Sequence, residues 1–454
     1  MSAGPEPATP AGDHGGFRAF LVLWASQTLS LFGTMVTQFA VNVWLARDLY
    51  PHPAQKPQLA LALTATALAM TAPLIFGMPI AGAFADRHDR QRILVVANTG
   101  LVALSALLVA LALSGHLTLA VAVPVLAAYA LAGSFHSAAF DSSYGRFVHA
   151  RDLPRASGMM MTSFGLSQLL APPLAAALVG LPALLGGAER LPGWLANGIP
   201  FAFAADGITF LVAAVSAAVL RFPPHPVAPS TGARASLVQE VRAGFRWILT
   251  RRPFVWLVSL GSLANFTIAP LFLLLPLLAR DRVAADAAAH HLPFEAVLAL
   301  ASTVGGLGGV LGGVVVSVLG LGARRRTLVM VASLVVLGVG EVITGLSTQV
   351  WALALGMFVT ELLIAPLNTA SYALWQTLTP PHMLGRALAT RRFIAQSALP
   401  IGTAIAGWVA ALIEPWLVVT LSGAVLALWC AVQLASPGFR SLEERMREAA
   451  ARAD

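Results

Sequence analysis

Twelve hydrophobic runs divide this chain, and its basic residues crowd into every second gap between them. Of 28 lysines and arginines, 23 fall in one alternating set of gaps and termini. These are Arg18; Arg87, Arg90 and Arg92; Arg146, Arg151 and Arg155; six between Arg221 and Arg252; Arg324 to Arg326; Arg386, Arg391 and Arg392; and four from Arg440 to Arg452. The other set holds only Arg47, Lys56, Arg190, Arg280 and Arg282. Short loops rich in Lys and Arg stay on the cytoplasmic side of a bilayer. The asymmetry therefore predicts a multi-pass protein of the inner (cytoplasmic) membrane with both termini in the cytoplasm.

The runs cover 20–46, 58–85, 93–113, 117–140, 154–184, 200–220, 253–279, 294–319, 327–346, 350–375, 384–413 and 416–435. A helix of about 20 apolar residues crosses a hydrocarbon core of about 30 Å, so each is long enough. Composition agrees: 57% of residues are apolar and 11% charged, against about 25% charged in soluble domains. The +8 balance sits in short loops beside apolar runs. That placement points to anionic headgroups of membrane lipids as its partners and away from nucleic acid. A lone cysteine, Cys430, excludes a disulfide framework. The ten histidines have no metal-ligand spacing, no phosphate-binding G-x-x-x-x-G-K-[ST] is present, and no nucleophile–base constellation is visible. The chain reads as neither an enzyme nor a holder of metal or cofactor.

Five segments follow. Residues 1–16, rich in Pro, Gly and Ala, read as a disordered cytoplasmic tail. Residues 17–221 form a first six-helix bundle and 253–436 a second, with a cytoplasmic linker at 222–252 between them. Residues 437–454 form a short C-terminal helix. In the linker, a proline-rich stretch from Phe222 is followed by Leu237, Val238, Val241, Phe245 and Ile248 on one helical face. That pattern predicts a helix lying along the membrane surface. The halves echo each other: the gap at 146–155 and a proline pair at 172–173 return about 230 residues later as 376–386 and Pro400. A repeat of half the chain length is the mark of a two-bundle transporter.

The gap between the second and third runs reads Gly82-Ala-Phe84-Ala-Asp86-Arg87-His-Asp89-Arg90-Gln-Arg92. It resembles motif A of the major facilitator superfamily, G-x-L-A-D-R-x-G-R-K/R, with Gly82, Asp86, Arg87, Arg90 and Arg92 matching. Phe84 replaces the leucine and Asp89 the second glycine. Physically, Gly82 permits close helix packing, Asp86 can accept backbone N–H groups in a tight turn, and the arginines hold headgroups or pair with acids. A degenerate counterpart runs from Gly313 to Arg326. The stretches at 17–27, 201–210 and 385–392 resemble the macrolide-efflux branch of drug:proton antiporters, a likeness that spans essentially the whole chain. It implies twelve transmembrane helices in two six-helix bundles around a midplane cavity, an all-α membrane protein.

Acids inside apolar runs are the places to look for chemistry, because a charge at mid-bilayer costs about 2.5–3.5 kcal/mol and the group pairs, protonates or faces water. Glu361 in the tenth run is the first candidate for proton coupling, with Thr360, Asn368 and Thr369 near it. Asp206 in the sixth run is the second, and Glu341 in the ninth the third. Each has a structural alternative as an interhelical hydrogen-bond anchor. No Lys or Arg is expected deep in a helix. Gln38, Phe39 and Asn42 in the first run, Tyr129 in the fourth, Asn265, Phe266 and Phe272 in the seventh and Tyr372 in the tenth can line a mostly apolar cavity with a few polar anchors. The glycines of the eighth run serve close helix approach. The resemblance implies a monomeric secondary active transporter with small-molecule substrates and protons as partners, exporting hydrophobic or cationic compounds by alternating access. A lysophospholipid transporter and a specific metabolite or siderophore transporter of the same fold remain alternatives.

Overall fold

The computed structural model describes residues 15–143, 147–149, 152–185, 197–222, 237–320, 326–380 and 383–435. The N-terminal tail, most of the loop at 186–197, the proline-rich part of the linker, Arg324, Arg325 and the C-terminal helix expected at 437–454 lie outside the described residues. Among the described residues every regular element is helical, and twelve spans are long and apolar enough to cross a membrane.

The first six spans are α1 (Gly15–Val43), α2 (Lys56–Ala85), α3 (Arg90–Leu113), α4 (Leu119–Asp141), α5 (Leu153–Leu184) and α6 (Ile199–Val219). After α7 (Leu237–Leu249) come α8 (Arg252–Leu277), the short α9 (Ala284–Ala289), α10 (Phe294–Leu319), α11 (Arg326–Leu346), α12 (Val350–Leu362), α13 (Ile364–Leu378), α14 (Leu384–Ala410) and α15 (Pro415–Ala435). Packing repeats between the halves. The pairs α2–α4, α3–α6, α3–α4 and α1–α5 correspond to α10–α12, α11–α15, α11–α12 and α8–α14. The bundles meet through two reciprocal pairs, α2 with α14 and α5 with α10. This is the all-α architecture of two six-helix bundles that the sequence predicts.

Close approach sets the α2–α14 contact. A Cβ added at Gly407 would lie 1.6 Å from Thr64 Oγ1 and 2.7 Å from Thr64 Cβ. The Thr64 hydroxyl is held by Ala60 O at 2.7 Å, so rotating it away does not clear the space. Surface helix α7 docks on the other end of α14. A Cβ at Gly244 would fall 2.1 Å from Thr390 Oγ1, and Phe245 meets Phe393 edge to face at 6.2 Å.

Two features differ from the sequence expectation. The tenth run is not one helix: α12 ends at Leu362 and α13 begins at Ile364. Pro366 has no N–H to donate to Leu362 O, and such a gap in the i to i−4 ladder breaks or kinks a helix. The first and seventh spans also end alike, each closing in a π-helical turn, Trp44–Leu49 after α1 and Leu278–Arg282 after α8. Both turns carry the same tetrapeptide, Leu45-Ala46-Arg47-Asp48 and Leu278-Ala279-Arg280-Asp281. It is the strongest residue-level trace of the internal repeat.

Gly407→Ala should cost about 1–3 kcal/mol by overpacking, measured as a lowered thermal unfolding midpoint in detergent. Gly82→Ala, whose added Cβ meets nothing within 4 Å, should leave the midpoint unchanged.

Candidate functional site

The helix ends that carry few arginines are tied together across the two bundles. Arg280, after α8, donates through Nη1 to Tyr50 O and to Ala46 O at 3.4 Å, both beyond α1. Its Nε and Nη2 pair with Asp281 at 2.7 and 2.8 Å. Arg47 lies 3.9 Å from Glu295 at the start of α10, and Lys56 at the start of α2 lies 3.3 Å from Glu414 between α14 and α15. Arg47 also bonds Asp48 at 2.8 Å and Asn197 at 3.1 Å. The most exposed of these pairs, Lys56–Glu414, contributes about 0–1 kcal/mol, whereas Arg280 and Asp281 are largely buried.

The three intramembrane acids sit in different surroundings. Asp206 on α6 is 0% exposed, and its Oδ2 accepts from Tyr129 Oη at 2.8 Å, Thr37 Oγ1 at 2.9 Å and Ser105 Oγ at 3.2 Å. One carboxylate oxygen thus ties α1, α3, α4 and α6. Tyr129 Oη also lies 3.0 Å from Thr34 Oγ1. Gly33 admits the contact, since a Cβ there would stand 2.7 Å from Asp206 Oδ1. Glu341, also fully buried, accepts from Ser422 at 3.5 Å and links α11 to α15.

Glu361 differs from both. It is 7% exposed, has no side-chain hydrogen bond or ion pair among the described residues, and occupies the last turn of α12, two residues before the break. Its carboxyl lies over the glycines of α10: a Cβ at Gly305 would be 2.8 Å from Oε1 and one at Gly309 3.4 Å from Oε2. The sequence assigns these glycines only to helix packing; here two of them also make room for the acid.

Beyond the break, Asn368, Thr369, Tyr372 and Gln376 are exposed and share one face of α13. Polar side chains on a transmembrane helix face water or a bundle interior, so this face marks the wetted side. Gln38 is exposed and Asn42 half-buried one turn apart on α1. Asn265 and Phe266 are half-buried on α8, with Asn265 donating to Gly261 O at 3.0 Å, while Phe272 and Tyr372 are exposed. Phe39 and Tyr129 are buried in the core of the first bundle, where Tyr129 serves Asp206.

Arg391 lies inside the eleventh span, within the run that the sequence places at 384–413. About two turns into α14, it donates from Nη2 to Ser371 Oγ at 3.1 Å and stands 5.9 Å from the Trp375 ring centroid. The next residue, Arg392, interacts electrostatically with Asp141 at the end of α4.

The motif at 82–92 is corrected in two places. Gly82 is not a point of close packing: a Cβ there meets nothing within 4 Å. The carboxylate that caps the turn is Asp89, which accepts from Gln91 N at 2.9 Å and Arg92 N at 3.5 Å as the N-cap of α3. Asp86 instead receives Arg90 Nη2 at 3.4 Å, while Arg90 Nη1 donates to Ser142 O beyond α4. Arg87 and Arg92 are exposed. Gln91 joins α3 to α6 through Ala217 O at 3.0 Å and Leu220 O at 2.8 Å.

Two pseudo-symmetric six-helix bundles that meet along two helix pairs and are latched at one end define a membrane transporter. The chain belongs to the Major Facilitator Superfamily, whose sequence profile matches residues 23–328. It is similar to Macrolide efflux protein A of Streptococcus pyogenes, 24% identical over 393 residues that cover 84% of this chain and 87% of that protein. The protein of the same name from Enterococcus faecalis is 24% identical over 353 residues, 76% of this chain and 99% of its own. A solved POT family transporter in complex with 5-aminolevulinic acid shares the fold with a TM-score of 0.68 at 13% identity, covering 92% of this chain and 95% of that one.

Asp206→Ala should lower the thermal midpoint by the equivalent of about 1–3 kcal/mol, because it leaves buried hydroxyls without their acceptor. Asp206→Asn, which keeps an accepting oxygen, should retain most of the stability. Arg280→Gln removes the inter-bundle donors and leaves Asp281 without its counter-ion. A cysteine introduced at Asn42 should then react several-fold faster with a maleimide added from the arginine-poor side. Unchanged labelling would show that Arg280 does not hold that end closed.

Proposed function

We propose that this transporter exports hydrophobic or cationic small molecules, macrolides among them, in exchange for protons, from an inner membrane with its arginine-rich ends in the cytoplasm. The observation that carries the coupling is Glu361, an intramembrane carboxyl without a side-chain partner, placed at the break between α12 and α13. The substrate class rests on the efflux relatives that match along most of the chain. The orientation rests on the split of basic residues.

In this reading, Glu361 carries the proton and the faces of α1, α8 and α13 carry the substrate. With the arginine-poor end closed, substrate enters from the cytoplasm along the polar face of α13 while Glu361 releases its proton to that side. A cationic substrate offsets the ionised carboxylate, which lowers the cost of carrying the loaded site through the low-dielectric interior to the outer end. There substrate leaves and Glu361 takes up a proton from outside. Protonation removes the charge and permits the return. Each proton moving inward through the full potential contributes about 2.3 kcal/mol per 100 mV.

Proteoliposomes carrying wild type or Glu361→Gln, challenged with a macrolide and with a cationic dye, test this reading. Wild type should show drug-dependent proton movement. Glu361→Gln should lose it by at least about tenfold while still binding drug. Undiminished flux in the variant would remove Glu361 from the coupling role, and absence of drug-driven flux in wild type would remove the substrate class.

A further inference from the structure

The latch at the arginine-poor end encloses a second site. A cavity of about 140 Å³ lies where the start of α2, the π-turn after α8 and the loop before α15 meet, lined by Lys56, Asp281, Arg282, Glu414 and Trp416 over an apolar floor that includes Leu277. Most of its charges are matched within the protein. Lys56 pairs with Glu414 at 3.3 Å, and Asp281 is occupied on both oxygens by Arg280.

Arg282 is the exception. Its guanidinium lies over the Trp416 ring at 4.5 Å from the centroid, which fixes its plane. No described group accepts a hydrogen bond from it, and its Nε is shut off from solvent without a partner. The Nε is closed to the cavity as well as to solvent, so the donors that a ligand can reach are Nη1 and Nη2, which no described group occupies. A planar guanidinium with free donors fits the oxygens of a phosphate or carboxylate two at a time, and Lys56 adds a second positive charge at the rim.

We infer that this cavity is a binding site for a single phosphate group, held by the Arg282 fork with Lys56 beside it and its ester carbon over the apolar floor. Lys56 comes from the first bundle and the remaining lining residues from the second, so the site is whole only while this end is closed. A ligand that prefers one of two states shifts the population toward it. Phosphate binding here therefore favours the closed arginine-poor end and slows the step that opens it. The chemistry is shared by a phospholipid headgroup reaching in from the bilayer and by free phosphate.

The test uses the full chain in dodecylmaltoside, with thermal unfolding followed during two titrations at matched ionic strength. One probe is inorganic phosphate against a chloride control, the other dihexanoylphosphatidylglycerol. Wild type should show a saturable rise in midpoint that chloride does not give. Arg282→Gln should weaken the apparent affinity about tenfold, the loss expected for a charge-assisted hydrogen bond. Glu414→Gln, which removes a carboxylate from the wall, should tighten it several-fold. If Arg282→Gln does not fold, the tightening in Glu414→Gln carries the test alone, and an unchanged affinity there overturns the site. A response to both probes supports a site open to the free ion; a response to the lipid alone supports a headgroup site. A midpoint moved by neither probe, or moved equally in wild type and Arg282→Gln, overturns the inference.

Discussion

An unsatisfied polar group in hydrocarbon costs several kcal/mol, and this structure depends throughout on avoiding that cost. Backbone groups are paired by making every span helical. Hydroxyls within the spans turn back on their own helix, as Thr64 does to Ala60 O at 2.7 Å, Thr71 to Ala67 O at 2.7 Å and Thr344 to Gly340 O at 2.9 Å. With many of these groups settled inside single helices, much of the contact between helices is left to shape, the cluster around Asp206 being an exception. Glycine and small residues then decide how near two helices come. The same constraint makes an acid without a partner conspicuous, and Glu361 is conspicuous for that reason.

The two bundles are joined by unlike means along their length. Between spans the contact is steric, with Gly407 against Thr64 and a Cβ at Gly306 only 3.0 Å from Gln168 O. At the arginine-poor end it is ionic and partly exposed. Close-packed surfaces tolerate rocking poorly unless they separate as units, whereas exposed ion pairs exchange readily for water. The two joins therefore differ in kind, the first fixed by backbone distance at glycines and the second by the reach of charged side chains.

Much of the fold was legible in the sequence. Twelve apolar runs, their alternating basic gaps and the amphipathic pattern at 235–250 all correspond to helices found here, because length, charge and periodicity are properties of a single segment. What was not legible depends on partners or on one residue's reach. Pro366 reads as any other helix proline until the break at Leu363 puts it in the first turn of α13. Asp89 looked like a defect in the motif and proved to be the helix cap. The repeated Leu-Ala-Arg-Asp was short enough to pass unnoticed, and its meaning lies in the π-turns and the latch. Arg391 falls within the predicted span, but its contacts with Ser371 and Trp375 depend on a neighbouring helix. Helices apolar on all sides give no rotation signal, so the sequence could not separate the buried Tyr129 from the exposed Tyr372.

The contrast between Asp206 and Glu361 bears directly on mechanism. A group that takes part in a cycle must change its surroundings at small cost. Moving Asp206 breaks three hydrogen bonds to three helices at once, and those bonds hold the first bundle together. Glu361 breaks none among the described residues, and its carboxyl lies against Gly305 and Gly309 of α10. Its helix ends one residue later, at Leu362, so the backbone hydrogen-bond ladder beyond the acid is interrupted at Leu363. Of the two acids, Glu361 secures less of the fold, and it lies at the head of the polar face formed by Asn368, Thr369, Tyr372 and Gln376, which is what supports the coupling role proposed for it.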